Sequence, residues 1–321
     1  MIRLTLAGAA LSLALAGGAA AADFPSRDIR FLCGFSAGGS CDLVSRMFAE
    51  KLGPIFGQNV VVENKTGASG MIALTEVSRA APDGHLVSLS TMANHTVLPQ
   101  MPGVKLAIDP NRDVTPIASL ANVYNMLIAS PQSTFQTVPA LIEHAKANPG
   151  KLTYASVGNG SSQHLAGELF QRLTGTQMLH VPYRGGANAL VDITAGRTDL
   201  MFGNMPEFLG QIEGKGVRPI AFGAPKQSPL FPDLPVASAT VPDFKIGNWF
   251  GLVGPAKLPA DIVAKWTAAL DKVAADPDFQ ARMAKNGLEI IVGPPARLQE
   301  LIASDSARWG EVIRGANIRA E

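Results

Sequence analysis

The sequence predicts an α/β protein of two lobes, in which parallel β-sheets carry helices on both faces. Short apolar runs of strand length alternate along the chain with longer segments whose apolar residues recur at the helical period. Such alternation is typical of βαβ units, which form parallel sheets covered by helices. Glycine-rich turns follow the strands in both halves of the chain. Because 321 residues exceed the size of most single hydrophobic cores, we expect two lobes.

The first strand, turn and helix lie within residues 29–52. Residues 29–33 (IRFLC) are mostly apolar and predict a buried strand, and residues 34–40 (GFSAGGS) form a glycine-dense turn. We expect a helix from Asp42 onward, with an apolar face made of Leu43, Val44, Met47, Phe48 and Leu52. The N-terminus of such a helix is an anion site, because its first N–H groups lack partners within the helix and the macrodipole adds about half a positive charge.

The same turn also spells the G-x-S-x-G nucleophile elbow of α/β hydrolases, with Ser36 as the serine. Two observations oppose that function. The turn follows the first strand after the leader, so no upstream loop is available to form an oxyanion hole. The predicted helix also begins several residues after Ser36 rather than directly after it. A serine hydrolase therefore stays a minor alternative. The glycine spacing fits neither the nucleotide P-loop nor the dinucleotide-binding motif.

Residues 1–22 have the features of a secretory signal peptide. Arg3 provides the charged start, an apolar core follows, and the small residues before Asp23 predict cleavage near Ala22. The mature chain is therefore expected to be exported and soluble. Cleavage removes Arg3 and lowers the net charge from +1 to about zero. This charge argues against a nucleic-acid partner, since nucleic-acid-binding surfaces are strongly basic.

The only two cysteines, Cys33 and Cys41, bracket the glycine-dense turn. In an oxidising compartment they could form a disulfide that ties the strand end to the helix start. Two buried thiols are the alternative. The choice depends on the distance between their Cα atoms, which the sequence does not supply.

The remainder of the chain continues the alternation. Strands are predicted at residues 60–63, 85–92, 124–130, 152–157, 178–181, 199–202, 217–222, 249–253 and 288–292. Helices are predicted at residues 71–80, from 138, at 163–173, between 186 and 196, and over most of the chain after 259. Residues 99–116 are predicted to form a long loop, because proline, glycine and charge occur there without periodicity.

A second strand, glycine turn and helix occurs at residues 152–173, with the turn GNGSS at residues 158–162. Ligands of parallel sheets bind at the carboxyl ends of the strands, where both turns are predicted. Two lobes that each present a glycine turn and a helix N-terminus predict a cleft that closes over a small anion. No cofactor and no metal site is predicted, because the histidines lack metal-ligand spacing.

Several motifs occur together in the order typical of one family. They are FSAGGSCD, VVENKTGASG, APDG, YASVGNGSSQHLAGELF, HVPYRGG and WFGLVGPA-x-LP. On these motifs residues 23–321 resemble the solute-binding receptors of tripartite tricarboxylate transporters, the Bug-type or TctC-like proteins. The resemblance implies a two-lobed type II periplasmic binding protein of the Venus flytrap kind. It also implies a periplasmic, non-enzymatic and monomeric protein that captures an organic carboxylate for membrane permease subunits. A receptor that feeds a two-component sensor is an alternative.

The resemblance also implies the residues that contact the ligand. These are Phe35, Ser36, Ala37, Gly38, Gly39, Ser40, Asp42, Gly67, Ala68, Gly70, Thr91, Met92, Gly158, Asn159, Gly160, Ser161, Ser162, Gly203 and Asn204. Tyr183 either stacks on the ligand or forms a wall of the cleft. The family often has proline at Ser36, glycine or threonine at Cys41, and an acidic or other polar residue at Gly203. These departures concern the identity of the ligand more than the function.

Each of these positions also has a purely structural interpretation. Asp42 is a favourable first-turn residue of a helix, and Ser161 and Ser162 are typical N-cap residues. His164 is expected to pack or to hydrogen-bond within its helix. The lobes are expected to comprise residues 23–124 with 248–321, and residues 125–247. The chain would then cross between the lobes near Tyr124 and Gly247.

Overall fold

The computed structural model describes residues 24–224, 227–316 and 318–319. The predicted signal peptide lies outside these residues. The strands are β1 Ile29–Cys33, β2 Val60–Asn64, β3 Leu86–Thr91, β4 Val114–Ala129, β5 Thr153–Ser156, β6 Leu179–Pro182, β7 Leu200–Asn204, β8 Arg218–Phe222, β9 Gly247–Pro255 and β10 Leu288–Gly293. The α-helices are α1 Ser40–Phe56, α2 Met71–Ser78, α3 Val138–Ala147, α4 Ser162–Thr174, α5 Gly186–Thr194, α6 Leu209–Glu213, α7 Ala260–Ala274, α8 Pro277–Lys285 and α9 Pro295–Ala316. Within the described chain, no helix combines the length and the apolar character that crossing a bilayer requires.

The strands form two sheets that share β4. The first sheet contains β2, β1, β3, β9, β10 and the first part of β4, and the second contains β6, β5, β7, β8 and the last part of β4. The expected parallel pairing holds for β2–β1–β3 and for β6–β5–β7. Strands β9, β4, β10 and β8 join by antiparallel pairs, so both sheets are mixed rather than mostly parallel.

Strand β4 changes partners partway along its length. It pairs with β9 from Val114 to Tyr124, and with β7 from Asn125 to Ala129. The residue opposite Tyr124 on β9 is Gly247. A single strand therefore passes from one sheet into the other at Tyr124 and Asn125.

The first half of β4 is the largest difference from the predicted elements. The sequence predicts a loop as far as residue 116 and a strand only from 124, whereas β4 already begins at Val114. Pro116 lies in the strand next to a shift in the pairing register with β9. Proline is tolerated at such irregularities although it cannot donate a ladder hydrogen bond. The strand is therefore continuous in spite of its proline.

Helix α1 packs its predicted apolar face into the core beside the first sheet. Val44, Met47, Phe48 and Leu52 are buried as expected. The Phe48 ring meets the Phe279 ring of α8 edge to face, with centroids 4.8 Å apart. This packing fixes the axis of α1 and therefore the position of its N-terminus.

Three helix N-termini lie at the carboxyl ends of parallel strands. Helix α1 follows β1 after the glycine-dense turn, α4 follows β5 after the turn at residues 157–161, and α5 follows β6 after residues 183–185. The carboxyl end of β7 lies nearby on the second sheet, since β7 pairs with β5. The fold therefore brings the turns from both sheets to one region, which we call the cleft.

Candidate functional site

A small cavity of about 30 Å³ lies in the cleft, where turns from both sheets meet. The predicted site residues that line it are Phe35, Gly39, Ser40, Thr91, Ser161, Ser162 and Asn204. Residues that the sequence analysis did not single out as site residues also line it: Cys41, Ala93, Val157, Gln163, Gly186, Glu207, Asn248 and Phe250. Both sheets therefore contribute to its wall.

The N-terminus of α1 meets a carboxylate from the second sheet. Glu207 Oε1 accepts hydrogen bonds from the Ser40 hydroxyl at 2.9 Å and from the Ser40 N–H at 3.3 Å. Asn204 Nδ2 donates to the Ser40 hydroxyl at 2.6 Å. Burial raises the pKa of Glu207 to about 7, against the opposing effect of the hydrogen bonds from Ser40 and Asn204. The helix terminus predicted to bind an anion thus binds an acidic side chain of the chain itself.

Asp42 is turned away from this cavity. Its carboxylate accepts from the Gly38 N–H at 3.0 Å and from Arg46 Nε at 3.0 Å. Burial works to raise the pKa of Asp42, but the hydrogen bonds from Arg46 and Gly38 outweigh it and hold the pKa below its usual value. Asp42 therefore orders the glycine-dense turn and does not point its charge at the cavity.

The second glycine turn, at residues 67–70, closes against the turn of the opposite sheet. Ser69 Oγ donates to the Asn159 carbonyl at 2.7 Å. Asn94 Nδ2 donates to the Ser69 carbonyl at 2.7 Å, while Asn94 Oδ1 accepts from the Thr91 hydroxyl at 2.9 Å. A Cβ on Gly34 would lie 2.5 Å from the Gly70 Cα, so only glycine allows the two turns to approach this closely.

Buried histidines support the turn at residues 158–162. Ser161 caps α4 by accepting from the His164 N–H at 3.2 Å, and the Gly160 N–H donates to His164 Nδ1 at 3.1 Å. The His164 ring stacks on the His180 ring, with centroids 4.3 Å apart. Burial lowers the pKa of His164 to about 4. The neutral imidazole therefore packs and accepts hydrogen bonds, which is the structural role expected of His164.

A wider groove of about 840 Å³ adjoins the small cavity and shares Phe35 and Val157 with it. The predicted residues that line it are Phe35, Gly67, Ala68, Gly158, Asn159 and Tyr183. The Tyr183 hydroxyl donates to Asp192 Oδ2 at 2.7 Å, so its ring is held in place as a wall. The groove is therefore a second part of the cleft, since turns from both sheets line it.

Some predicted site residues lie outside both the cavity and the groove. They are Ser36, Ala37, Gly38, Asp42, Gly70, Met92, Gly160 and Gly203. Met92 Sδ accepts from Trp309 Nε1 at 3.0 Å inside the core, and the Phe208 ring covers the Cα of Gly203. Two residues beside these positions also turn inward: His95 is buried between Ser90 and Asn111, and Met205 is buried in the core of the second sheet.

Ser36 is not set up as a nucleophile. Its hydroxyl is buried against Gly185 and has no hydrogen-bond partner among the described residues. A serine nucleophile needs a base within hydrogen-bonding reach. The G-x-S-x-G motif is therefore present without the base that a serine nucleophile needs.

A family model identifies the chain. Residues 44–318 match the model described as "Tripartite tricarboxylate transporter family receptor". The chain belongs to this receptor family. It is therefore a solute-binding receptor of the tripartite tricarboxylate transporter type, as its motifs predict.

Solved structures agree with this membership. Rpa4515 from R. palustris, determined with adipate, is 30% identical with a TM-score of 0.90 and covers 93% of this chain and 100% of its own. The periplasmic binding protein BugD is 32% identical with a TM-score of 0.88, at the same coverage. MatC from Rhodopseudomonas palustris, with bound malate, is 29% identical with a TM-score of 0.85 and covers 90% of this chain and 100% of its own. The predicted two-lobed binding-protein fold is confirmed.

Glu207 is the most informative site residue of this receptor that the sequence analysis missed. It follows Asn204, the last residue of β7, by three positions and forms part of a short helical turn. An acidic residue just beyond the carboxyl end of a strand is a signal that could have indicated it. Asn248 gave no comparable signal, because it lies inside β9.

Proposed function

We propose that this receptor binds a small organic carboxylate in the cleft and delivers it to the membrane subunits of a tripartite transporter. The observation that carries the proposal is the convergence of three helix N-termini on one cavity: Gly39 and Ser40 of α1, Ser161 and Ser162 of α4, and Gly186 of α5. The first turns of α4 and α5 offer N–H groups and positive dipole ends to an anion, whereas the Ser40 N–H of α1 already donates to Glu207.

The lining of the cavity supports backbone recognition of the carboxylate. Among the described residues that line it there is no lysine, arginine or histidine. The positive potential therefore comes from helix ends and N–H groups. These groups recognise the carboxylate and discriminate little between the molecules that carry it. The relatives determined with adipate and with malate agree with a carboxylate ligand.

Ligand entry requires the two sides of the cleft to separate. The cavity of about 30 Å³ is far smaller than the ~300–1,000 Å³ typical of small-molecule sites. We place the hinge at Tyr124 and Gly247, which gives lobes of residues 23–124 with 248–321, and of residues 125–247. The change of partners along β4 supports this division. Small-angle scattering should show compaction when a carboxylate binds, and an unchanged radius of gyration with a bound ligand would contradict the hinge.

The remaining parts of the proposal concern location and partners. We expect the receptor to act in the periplasm as a monomer, after removal of residues 1–22, and to catalyse no reaction. The family membership supports the location and the transport role.

A thermal-shift screen over aliphatic, aromatic and amino-acid carboxylates tests the proposed ligand class. A ligand present at 100 times its dissociation constant stabilises a protein by about 2.7 kcal/mol, which raises the melting temperature measurably. A variant designed to block the site is Ser162→Leu, which places a branched side chain into the small cavity. Its matched control is Ser304→Leu, on the exposed face of α9.

The wild-type protein and Ser304→Leu should respond to the same carboxylates, and Ser162→Leu should not. Circular dichroism would verify that Ser162→Leu is folded. A complete lack of response to carboxylates in the wild-type protein, or an equal response in folded Ser162→Leu, would contradict the proposal.

A further inference from the structure

We propose that Glu207 and Asn248 select a ligand that carries, besides its carboxylate, an ammonium or another N–H donor group. This inference rests on the proposed function and defines the ligand class more narrowly. It assigns the two ends of the ligand to different parts of the cavity: the carboxylate to helix N-termini and the donor group to two side-chain acceptors.

Glu207 is the acidic side chain of the small cavity, and its described partners are uncharged. Its carboxylate accepts from Ser40 at 2.9 Å and lies 3.5 Å from the Gln163 amide nitrogen. No cationic side chain lines this cavity among the described residues. A carboxylate removed from water either binds a proton or is accompanied by a counter-charge. A ligand ammonium would supply that counter-charge.

Asn248 provides a second and independent indication. The residue is only 8% exposed and lines the same cavity. Its Oδ1 atom is buried and has no hydrogen-bond partner among the described residues. Buried polar atoms in folded proteins are almost always paired, so an unpaired acceptor on a residue that lines the cavity indicates a donor on the ligand.

The two acceptors also argue against a second carboxylate on the ligand. A ligand carboxylate can bind at the N-terminus of α4, where Ser161, Ser162 and Gln163 line the cavity. A second carboxylate in so small a cavity would approach Glu207, and like charges repel strongly where water is excluded. An amino or amide group in that position would instead donate to Glu207 and Asn248.

Calorimetry with matched probes tests this inference. Three sets are used: butyrate, 4-aminobutyrate, 2-aminobutyrate and succinate; pentanoate, 5-aminopentanoate, norvaline and glutarate; and benzoate, 4-aminobenzoate and terephthalate. In at least one set, the wild-type protein should bind an amino member at least about tenfold more tightly than the unsubstituted acid and the dicarboxylate.

Substitutions then assign the preference to the two residues. Glu207→Gln keeps the shape and removes the charge, and it should weaken binding of the preferred amino probe by at least about tenfold without weakening the dicarboxylate. Glu213→Gln, on an exposed residue of α6, is the control and should change nothing. Asn248→Leu should weaken the amino probe severalfold, whereas Asn286→Leu at the end of α8 should not. Melting temperatures verify that each variant is folded.

Each result separates the two proposals. Binding of unsubstituted acids or dicarboxylates in preference to every amino probe, or an amino preference that survives Glu207→Gln, would overturn the inference and leave the carboxylate receptor intact. Tighter binding of all probes to Glu207→Gln would show that Glu207 only competes with the ligand carboxylate for the N-terminus of α1. That result would also overturn the inference. No binding in any set would contradict the carboxylate receptor itself.

Discussion

The Ser40 hydroxyl donates a hydrogen bond of 2.9 Å to Glu207 Oε1 across a sequence separation of 167 residues. Ser40 is the first residue of α1 beside the first sheet, and Glu207 follows β7 of the second sheet. The contact places a carboxylate at the end of α1 where the dipole is positive. It shows that an acidic side chain occupies this helix end, and it joins the two sides of the cleft.

The stability of this receptor should depend on pH through Glu207. Burial raises its pKa from an ordinary value of 4.5 to about 7. The folded chain therefore holds a proton that the unfolded chain releases above about pH 4.5. The stability that Glu207 contributes through this proton is fully present below about pH 4.5 and decreases as the pH rises to about 7. Above that pH the contribution no longer changes.

The measurement is urea unfolding of the wild-type protein and of Glu207→Gln at several pH values between 4.5 and 8. The Gln variant lacks the titrating group, so the wild-type protein should lose stability relative to it as the pH rises. Parallel pH profiles of the two proteins would show that Glu207 is not buried in this way.

Ser36→Ala should leave ligand affinity within about tenfold and should remove no esterase activity. The Ser36 hydroxyl makes no hydrogen bond to a described residue, so no base activates it. The check is calorimetry on the variant together with a fluorophosphonate reagent on the wild-type protein. Stoichiometric labelling of Ser36 would revive the hydrolase alternative.

Reduction should destabilise the protein through Cys33 and Cys41. Their sulfurs are bonded in the structure, and the Cα atoms are 6.0 Å apart. The link closes a short loop, for which chain entropy predicts a stabilisation of about 2–3 kcal/mol. It also ties the end of β1 to the first turn of α1, so ligand affinity should fall on reduction.

Urea unfolding with and without dithiothreitol measures this contribution. The double variant Cys33→Ala, Cys41→Ala is the control, because the reductant should have no effect on it. Two free thiols in the protein purified under oxidising conditions, found by mass spectrometry, would be inconsistent with the disulfide.

Much of the fold was predictable because local signals and tertiary structure agree in most elements. The bounds of β1 are those predicted, and the apolar face of α1 is buried at Val44, Met47, Phe48 and Leu52. The antiparallel orientation of β9 and β4 within the first sheet was not predictable from local signals. Both strands are buried on both faces, and their antiparallel pairing depends on the chain's return from the second sheet rather than on any local pattern.

The parts of the site formed by the backbone were predictable from the sequence. The parts formed by side chains were less predictable. The glycine turns follow from local residue types. The helices begin slightly earlier than predicted, α1 at Ser40 rather than Asp42 and α4 at Ser162 rather than residue 163. The contacts of Glu207 and Asn248 join residues far apart in the chain, so only the folded structure brings them to the cavity. The family resemblance implied that Met92, at the end of the predicted strand 85–92, contacts the ligand, but its side chain turns into the core toward Trp309.

The central claim is that the carboxylate charge of the ligand, rather than its carbon skeleton, anchors it in the cleft. Hydrogen bonds to a charged group contribute about 1.5–3 kcal/mol each, against about 1 kcal/mol for neutral ones. A helix dipole adds up to about 2 kcal/mol in a partly buried site. Replacing the anchoring carboxylate by its amide should therefore weaken binding at least about tenfold, which corresponds to about 1.4 kcal/mol.

Calorimetry on the carboxylate selected by the thermal-shift screen and on its amide is the most direct test. The loss of affinity should persist in Glu207→Gln, where the amide can gain nothing from a charged acceptor. A carboxylate that binds at least about tenfold more tightly than its amide in both proteins is the predicted result. Equal affinities of the carboxylate and the amide would contradict the account.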